Sequence, residues 1–250
     1  MCRLSFGQNR TFAGTAAGPG NGASPARGDA NPAGNGPAPH NDAMTAAAED
    51  LELASAEEIL AYAVERFHPR LTLACSFQKE ESVVAHMLTQ IEPNARAFVI
   101  DTGVLFPETF ETWRQFEQRF SLRVEVFDAS SPGAPWTVDR CCSLAKVEAL
   151  ERALEDVDAW ITGVRREHAR TRAGARKLER DERRGIWKVN PLADWTDRDI
   201  WRYIHRHDLP YHPLHDQGYG SIGCAPCTQP GNGRDGRWAG MDKTECGIHL

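Results

Sequence analysis

The stretch "LTLACSFQKEESVVAHML" (residues 71–88) is where the fold first becomes legible. Leu71 to Cys75 form a short apolar run of the length a buried strand uses. At Ser76 the chain turns polar at once, and "VVAHML" then resumes apolar character at helical spacing. The same alternation recurs downstream. "AFVI" (97–100) stops at Asp101-Thr102-Gly103 and leads into the helical "PETFETWRQFEQRF" (107–120). "LRVEVF" (122–127) and "AWITG" (159–163) read as a third and a fourth strand, with a helix around 143–155 between them. Strands alternating with helices of this length predict an α/β fold: a mostly parallel sheet with helices on both faces. Ligands of such sheets bind at the carboxyl ends of the strands. The polar stretches after Cys75, Ile100 and Gly163 all fall at that edge.

Working outward, "SAEEILAYAVERF" carries a capping pair, Ser55 and Glu58, so order is expected to begin near Ser55. Residues 1–47 hold eight Gly, five Pro and eleven Ala with few bulky apolar residues, too little to offset ordering entropy. They are read as a disordered tail, and residues 48–250 as a single α/β domain. Thr196 and Asp199 cap a further helix, "TDRDIWRYIHRH". Beyond it lies an irregular C-terminal extension rich in Gly, Pro and Cys, with residues 228–250 expected to be mobile. The composition, 41% hydrophobic with a net charge of −6, fits a soluble protein. The sequence shows neither an apolar run of the ~20 residues that span a membrane nor a signal-peptide h-region. The expected compartment is therefore the cytoplasm, with no membrane partner. A homo-oligomer remains compatible with the sequence.

The chain has seven cysteines. In the cytosol, clustered thiols point to metal or catalysis rather than to disulfides. Cys141-Cys142 and Cys224/Cys227 form two close pairs, the count for a four-thiolate zinc site or an iron–sulfur cluster. Adjacent side chains tend to point apart, which strains a single tetrahedral zinc; a 4Fe–4S cube offers them different irons. That geometry favours the cluster over zinc. Cys75 ends a strand and reads as a core residue. Cys2 lies in the tail. Cys246, in the terminal "KTECGIHL", is left over, where a nucleophile could sit.

The loop "SFQKEES" (76–82) occupies the place of anion-binding loops in α/β folds, although it lacks their glycines. Residues 165–188 carry ten Lys/Arg against four Asp/Glu. The alternatives for this run are a solvated charged loop and an anion site, since guanidinium forks grip phosphate or sulfate oxygens. Nucleic acid is disfavoured as a partner by the overall acidity and the lack of interleaved aromatics. His205, His207, His212 and His215 read as loop-packing residues rather than metal ligands.

Taken together, "CC" followed by "CAPC", the strand-end "DTG", "ITGVRREHARTRA", the run from "WKVNPLADW" to "GSIGCAPC" and the terminal "KTECGIHL" resemble assimilatory adenylyl-sulfate (APS) reductases. These belong with the phosphoadenylyl-sulfate (PAPS) reductases. The resemblance spans roughly residues 50–250 and implies an adenine-nucleotide α-hydrolase-like fold. It implies that Cys141, Cys142, Cys224 and Cys227 ligate a 4Fe–4S cluster. It further implies that Cys246 attacks the sulfur of APS, releasing AMP and forming an S-sulfocysteine, from which thioredoxin or a glutaredoxin-like dithiol releases sulfite for cysteine biosynthesis. Ser76, Phe77, Gln78 and Ser82 would bind substrate from the loop after the first strand. Asp101, Thr102 and Gly103 would do so from the second, and Arg165 and Arg172 from the fourth. Lys146 would stand between cluster and substrate, with Arg234, Arg237 and His249 at the sulfate end. Two departures stand out: "CTQPGNGR" is shorter than the family's usual segment, and Gln229 replaces a common Arg. The rival enzyme is a PAPS reductase, whose ordinary form lacks the two cysteine pairs. A related RNA thiolase would need a glycine-rich ATP loop that "CSFQKEES" does not supply.

Overall fold

A computed structural model of the chain describes residues 39–130, 137, 144–243, 245, 246 and 248. Its first element is helix α1 (Pro39–Asp50). The helix takes in residues 39–47, which composition alone assigns to the disordered tail. The Ala-rich run 46–48 favours a helix, and Met44 and Ala48 are buried in the core. The Tyr62 hydroxyl donates to the Met44 sulfur at 3.2 Å. Helix α2 (Ala56–Phe67) begins as the sequence predicts. Ser55 Oγ accepts from Glu58 N at 3.2 Å, and the Glu58 carboxylate accepts from Ser55 N at 2.7 Å. Such a cap contributes about 1 kcal/mol.

Strand β1 (Leu71–Ala74) then enters the sheet and is followed by helix α3 (Lys79–Ile91). Strand β2 (Arg96–Asp101), helix α4 (Pro107–Phe120), strand β3 (Arg123–Asp128), helix α5 (Lys146–Ala153) and strand β4 (Ala159–Ile161) complete the predicted alternation. Strands β5 (Leu178–Asp181) and β6 (Ile186–Val189) form an antiparallel hairpin inside the run read as a basic stretch. Charge hid it. Lys188 pairs with Glu179 at 2.9 Å, Arg184 with Asp181 at 2.8 Å, and Arg180 lies over Trp187. Helix α6 (Asp197–His207) carries the predicted cap, Thr196 Oγ1 accepting from Asp199 N.

The strand order is β3-β2-β1-β4-β6-β5, parallel except for the β5/β6 pair. The pleat divides the core in two. Ala97 and Val99 face the larger cluster, with Leu60, Val84, Phe116 and Ile200 from α2, α3, α4 and α6. Phe98, Ile100 and Trp160 face the smaller one, with Ala149, Leu150 and Ala153 from α5. Each fully buried Leu or Phe contributes roughly 1.5–3 kcal/mol. From β1 the chain fills one side of the sheet through β2 and β3, then crosses to the other side at β4. That reversal opens a crevice between the carboxyl ends of β1 and β4, where doubly wound sheets bind ligands. Among the described residues, no helix is long and apolar enough to cross a membrane.

Candidate active site

The loop leaving β1 turns sharply. Phe77 adopts φ +60°, a costly conformation for a bulky residue that persists only where surroundings impose it. The ring is what imposes it: buried, it stacks on Trp113 at 5.3 Å and meets Phe116 edge-on at 5.5 Å. Phe77 therefore borders the crevice while its ring anchors the loop in the core. Gln78 Oε1 accepts from Ile222 N at 2.8 Å and from Ser221 Oγ at 3.2 Å, tying this loop to the C-terminal extension. Gln78 Nε2 donates to Ser76 Oγ. Ser82, fully buried in the first turns of α3, donates to Pro210 O and does not line the crevice.

The loop after β4 is built on buried charge. Gly163 passes so close to α3 that a Cβ would stand 2.8 Å from Glu80 Cβ and from a Glu81 carboxylate oxygen. Arg165, 3% exposed, donates to Glu80 at 2.9 and 3.1 Å, to Glu167 and Asp197 at 2.9 Å, and to Trp195 O. It is committed to this network and lines a neighbouring pocket rather than the main crevice. His168 Nδ1 faces Arg165 N and Arg172 Nη1, and its Nε2 lies 2.9 Å from Glu80. That pattern makes it a neutral imidazole donating through Nε2. Burial pushes its pKa down, against the pull of Glu80. For Glu80, burial acts upward, yet His168, Arg165 and Lys79 hold it well below the usual carboxylate range. Glu81 goes the other way: burial, then the Glu80 charge, push it up to about 8.

The strand-end triplet is not among the residues lining the crevice, and its middle member reaches the cysteine extension. Asp101 Oδ1 accepts from Gly103 N, and Gly103 sits at φ +71°. The Thr102 hydroxyl lies 3.2 Å from Cys224 Sγ. Cys224 and Cys227 flank one short turn, Ala225–Cys227, pinned by Ala225 N to Val104 O and Trp238 N to Cys227 O. Both are buried with Trp238 and Cys246 in one small cluster. Arg237 spans Trp238 at 4.4 Å and donates to Ile222 O. It lies so close to Gly223 that any Cβ there would collide with its guanidinium.

One crevice is lined by Ser76, Phe77, Gln78, Lys146, Arg172, Arg234 and Arg237 together with Cys224 and Cys246. Cys246 is 8% exposed. Burial, then the neighbouring Arg172, push Arg234 down to about 10, a sign of how tightly cations gather here. Cys141, Cys142 and His249 lie outside the described residues. Among the described residues, no group of three or more His, Cys, Asp or Glu could hold a metal. Cys224 and Cys227 nevertheless fit half of a four-thiolate set: two buried sulfurs on one pinned turn, beside a guanidinium that favours thiolates. Sequence reasoning missed Glu80, Glu81, His168, Trp238 and Glu245. Only the adjacency of Glu245 to Cys246 was a signal for any of them.

The phosphoadenosine phosphosulfate reductase domain family matches residues 70–230. A protein named adenosine 5'-phosphosulfate reductase from Salinibacter ruber is 41% identical over 207 residues, covering 76% of this chain and 82% of that protein. One of the same name from Geobacillus kaustophilus is 40% identical over 217 residues, covering 80% and 92%. Among solved structures, the phosphoadenylyl-sulfate reductase of Candida auris in its phosphate complex matches with TM-score 0.63 and 26% identity, over 75% of this chain and 97% of that one. Candida glabrata FMN adenylyltransferase, at TM-score 0.57 and 16% identity over 75% and 66%, shares the fold alone. Sheet order and crevice thus define an adenine-nucleotide α-hydrolase-like protein. Within that class, the chain belongs to the phosphoadenosine phosphosulfate reductase family, whose members are oxidoreductases acting on a sulfur group.

Proposed function

We propose that the protein reduces adenosine 5'-phosphosulfate to sulfite and AMP, with Cys246 as nucleophile. The observation that carries this reading is Cys246 buried in the crevice that Lys146, Arg234 and Arg237 also line. The Cys246 thiolate attacks the sulfur of APS. The bond from that sulfur to the bridging oxygen breaks, and AMP leaves with the oxygen and the electron pair. The enzyme then carries an S-sulfocysteine. A dithiol such as thioredoxin, or a glutaredoxin-like protein, attacks the Cys246 sulfur, expelling sulfite. Its second thiol resolves the mixed disulfide, so the dithiol is oxidised and Cys246 returns as a thiol. Thiolate and substrate are both anionic, so cations fixed around the crevice remove the repulsion and stabilise the charge on the leaving phosphate. The buried wall around Cys75, Phe98 and Ile100 excludes water from the sulfur.

In this reading Cys141, Cys142, Cys224 and Cys227 hold a 4Fe–4S cluster. When bound, the cluster would supply a fixed charge near the crevice wall that Cys224 lines. Lys146, at the start of α5, and Arg237 are the chain's own cations on that side. A cytoplasmic setting follows from the need for reduced thiols.

Mixing the protein with APS alone and mapping adducts by mass spectrometry tests the chemistry. A sulfonate on Cys246 and on no other cysteine is expected, and Cys246→Ser is expected to keep iron while losing sulfite production. An adduct elsewhere, or turnover by Cys246→Ser, overturns the assignment. A strong preference for PAPS over APS would overturn the substrate, and zinc in place of iron would overturn the cluster.

A further inference from the structure

Glu245 is 5% exposed, an unusual position for a carboxylate close to a chain end. Its Oε1 accepts from Arg172 Nε at 2.9 Å and from Thr171 Oγ1 at 3.1 Å. Its Oε2 accepts from Arg172 Nη2 at 2.9 Å and from Arg234 Nη2 at 3.0 Å. Two guanidiniums, one of them a bidentate fork, therefore converge on a single buried carboxylate, the strongest and most directional ion-pair geometry available to side chains. Burial acts upward on this acid, but the Arg172 hydrogen bonds and charge prevail and keep its pKa below the ordinary value. The third Arg172 nitrogen faces His168 Nδ1 at 3.2 Å, so each guanidinium nitrogen has a partner within the protein. Among the described residues, no backbone hydrogen bond fastens Glu245 or Cys246 to the rest of the fold. The carboxylate does that, alongside Ile248 packed on the neighbouring apolar clusters.

We propose that Glu245 is a positioning residue whose carboxylate, forked on Arg172 and steadied by Arg234, fastens the tail so that Cys246 stands in the crevice. One peptide bond separates the two residues, so fixing Glu245 confines the thiol to the torsions of a single residue. Arg172 accordingly acts on the tail, in addition to any contact with substrate. An ionic fastening also differs from an apolar one: it loosens with salt, which the apolar contacts of Ile248 do not. A thiol that must meet two partners in turn needs that property. This last consequence rests on the reading of Cys246 as nucleophile; the fastening itself does not.

The test is the rate at which iodoacetamide alkylates Cys246 in the full-length protein without substrate, read by peptide mass spectrometry. Glu245→Gln is expected to speed alkylation by about tenfold or more, the factor that corresponds to about 1.4 kcal/mol. Glu245→Asp should restore part of the protection, and added salt should accelerate the wild type but not the Gln variant. Arg172→Ala is the decisive variant. Losing a nearby cation would by itself make a thiol less reactive, whereas unfastening makes it more reactive. The double variant should be no faster than either single one. In turnover, Glu245→Gln should lower kcat more than it raises KM. Equal alkylation of wild type and Glu245→Gln, slower alkylation of Arg172→Ala, or additive effects in the double variant would each overturn the proposal. A failed fastening leaves Cys246→Ser inactive; a failed nucleophile assignment leaves Cys246→Ser active whatever the alkylation rates show.

Discussion

Arg165 and Arg172 come from one basic run after β4, and in the sequence nothing separates their roles. In the fold Arg172 lines the crevice and Arg165 lies beside it. Arg165 is 3% exposed and spends its donors on Glu80, Glu167, Asp197 and Trp195 O, groups set in α3, α6 and the loops beside them. Arg172 spends its donors on Glu245, in the tail. The first guanidinium locks the floor of the site; the second grips a part that has to be placed. Charge alone therefore does not identify a substrate ligand. What decides is whether the partner belongs to the scaffold or to the tail that carries Cys246.

The contrast can be broken most severely at the floor. Arg165→Ala strands Glu80 and Asp197 in partly dry surroundings, and a loss of about 3–5 kcal/mol in unfolding free energy is expected, read by denaturant titration. A stable Arg165→Ala variant would show the floor to be less fixed than its burial indicates. Arg234→Ala should do the reverse. Its loss of a crevice cation is expected to lower kcat/KM for APS by roughly 10²–10³-fold, with a melting temperature close to wild type. A large stability loss there would erase the distinction.

A subtler effect concerns Glu81, also in the floor. Its carboxyl is pushed up to about 8, so the folded state favours the protonated form. The stability this contributes is full below the ordinary carboxylate pKa of 4.5 and is lost as pH rises toward and through about 8. Glu81→Gln, which cannot ionise, should melt above wild type at pH 9, by at least the ~2–4 °C that one kcal/mol is worth in a domain of this size, and should show no such gain at pH 5. A parallel pH dependence in both proteins would mean that Glu81 is ionised in the fold.

Much of this architecture could be read from residue order. The β1–loop–α3 unit, the boundaries of α4 and the caps at Ser55 and Thr196 are local features, set by periodicity and by side chains three residues apart. The crevice could be placed because strand ends are local too. The β5/β6 hairpin was not legible: Lys188 pairs with Glu179 across the strands and Arg184 with Asp181 in the turn, and a run of Arg and Glu looks solvated until the partners are known. Phe77 borders the crevice, but its ring direction depends on Trp113 and Phe116, far along the chain. The ion-pair network of Arg165 was hidden for the same reason. Its role depends on Glu80, 85 residues away.

The unforeseen hairpin also sets the character of the sheet's rim. A parallel sheet left open at β6 would present a bare strand built from Ile186, Trp187 and Val189 as a template for another chain. With β5 added, the rim reads Glu179, Arg180 and Asp181, and the opposite rim at β3 carries Arg123, Glu125 and Asp128. Strand-to-strand stacking of two molecules would force such side chains together and strip their water, the device by which natural sheets discourage aggregation.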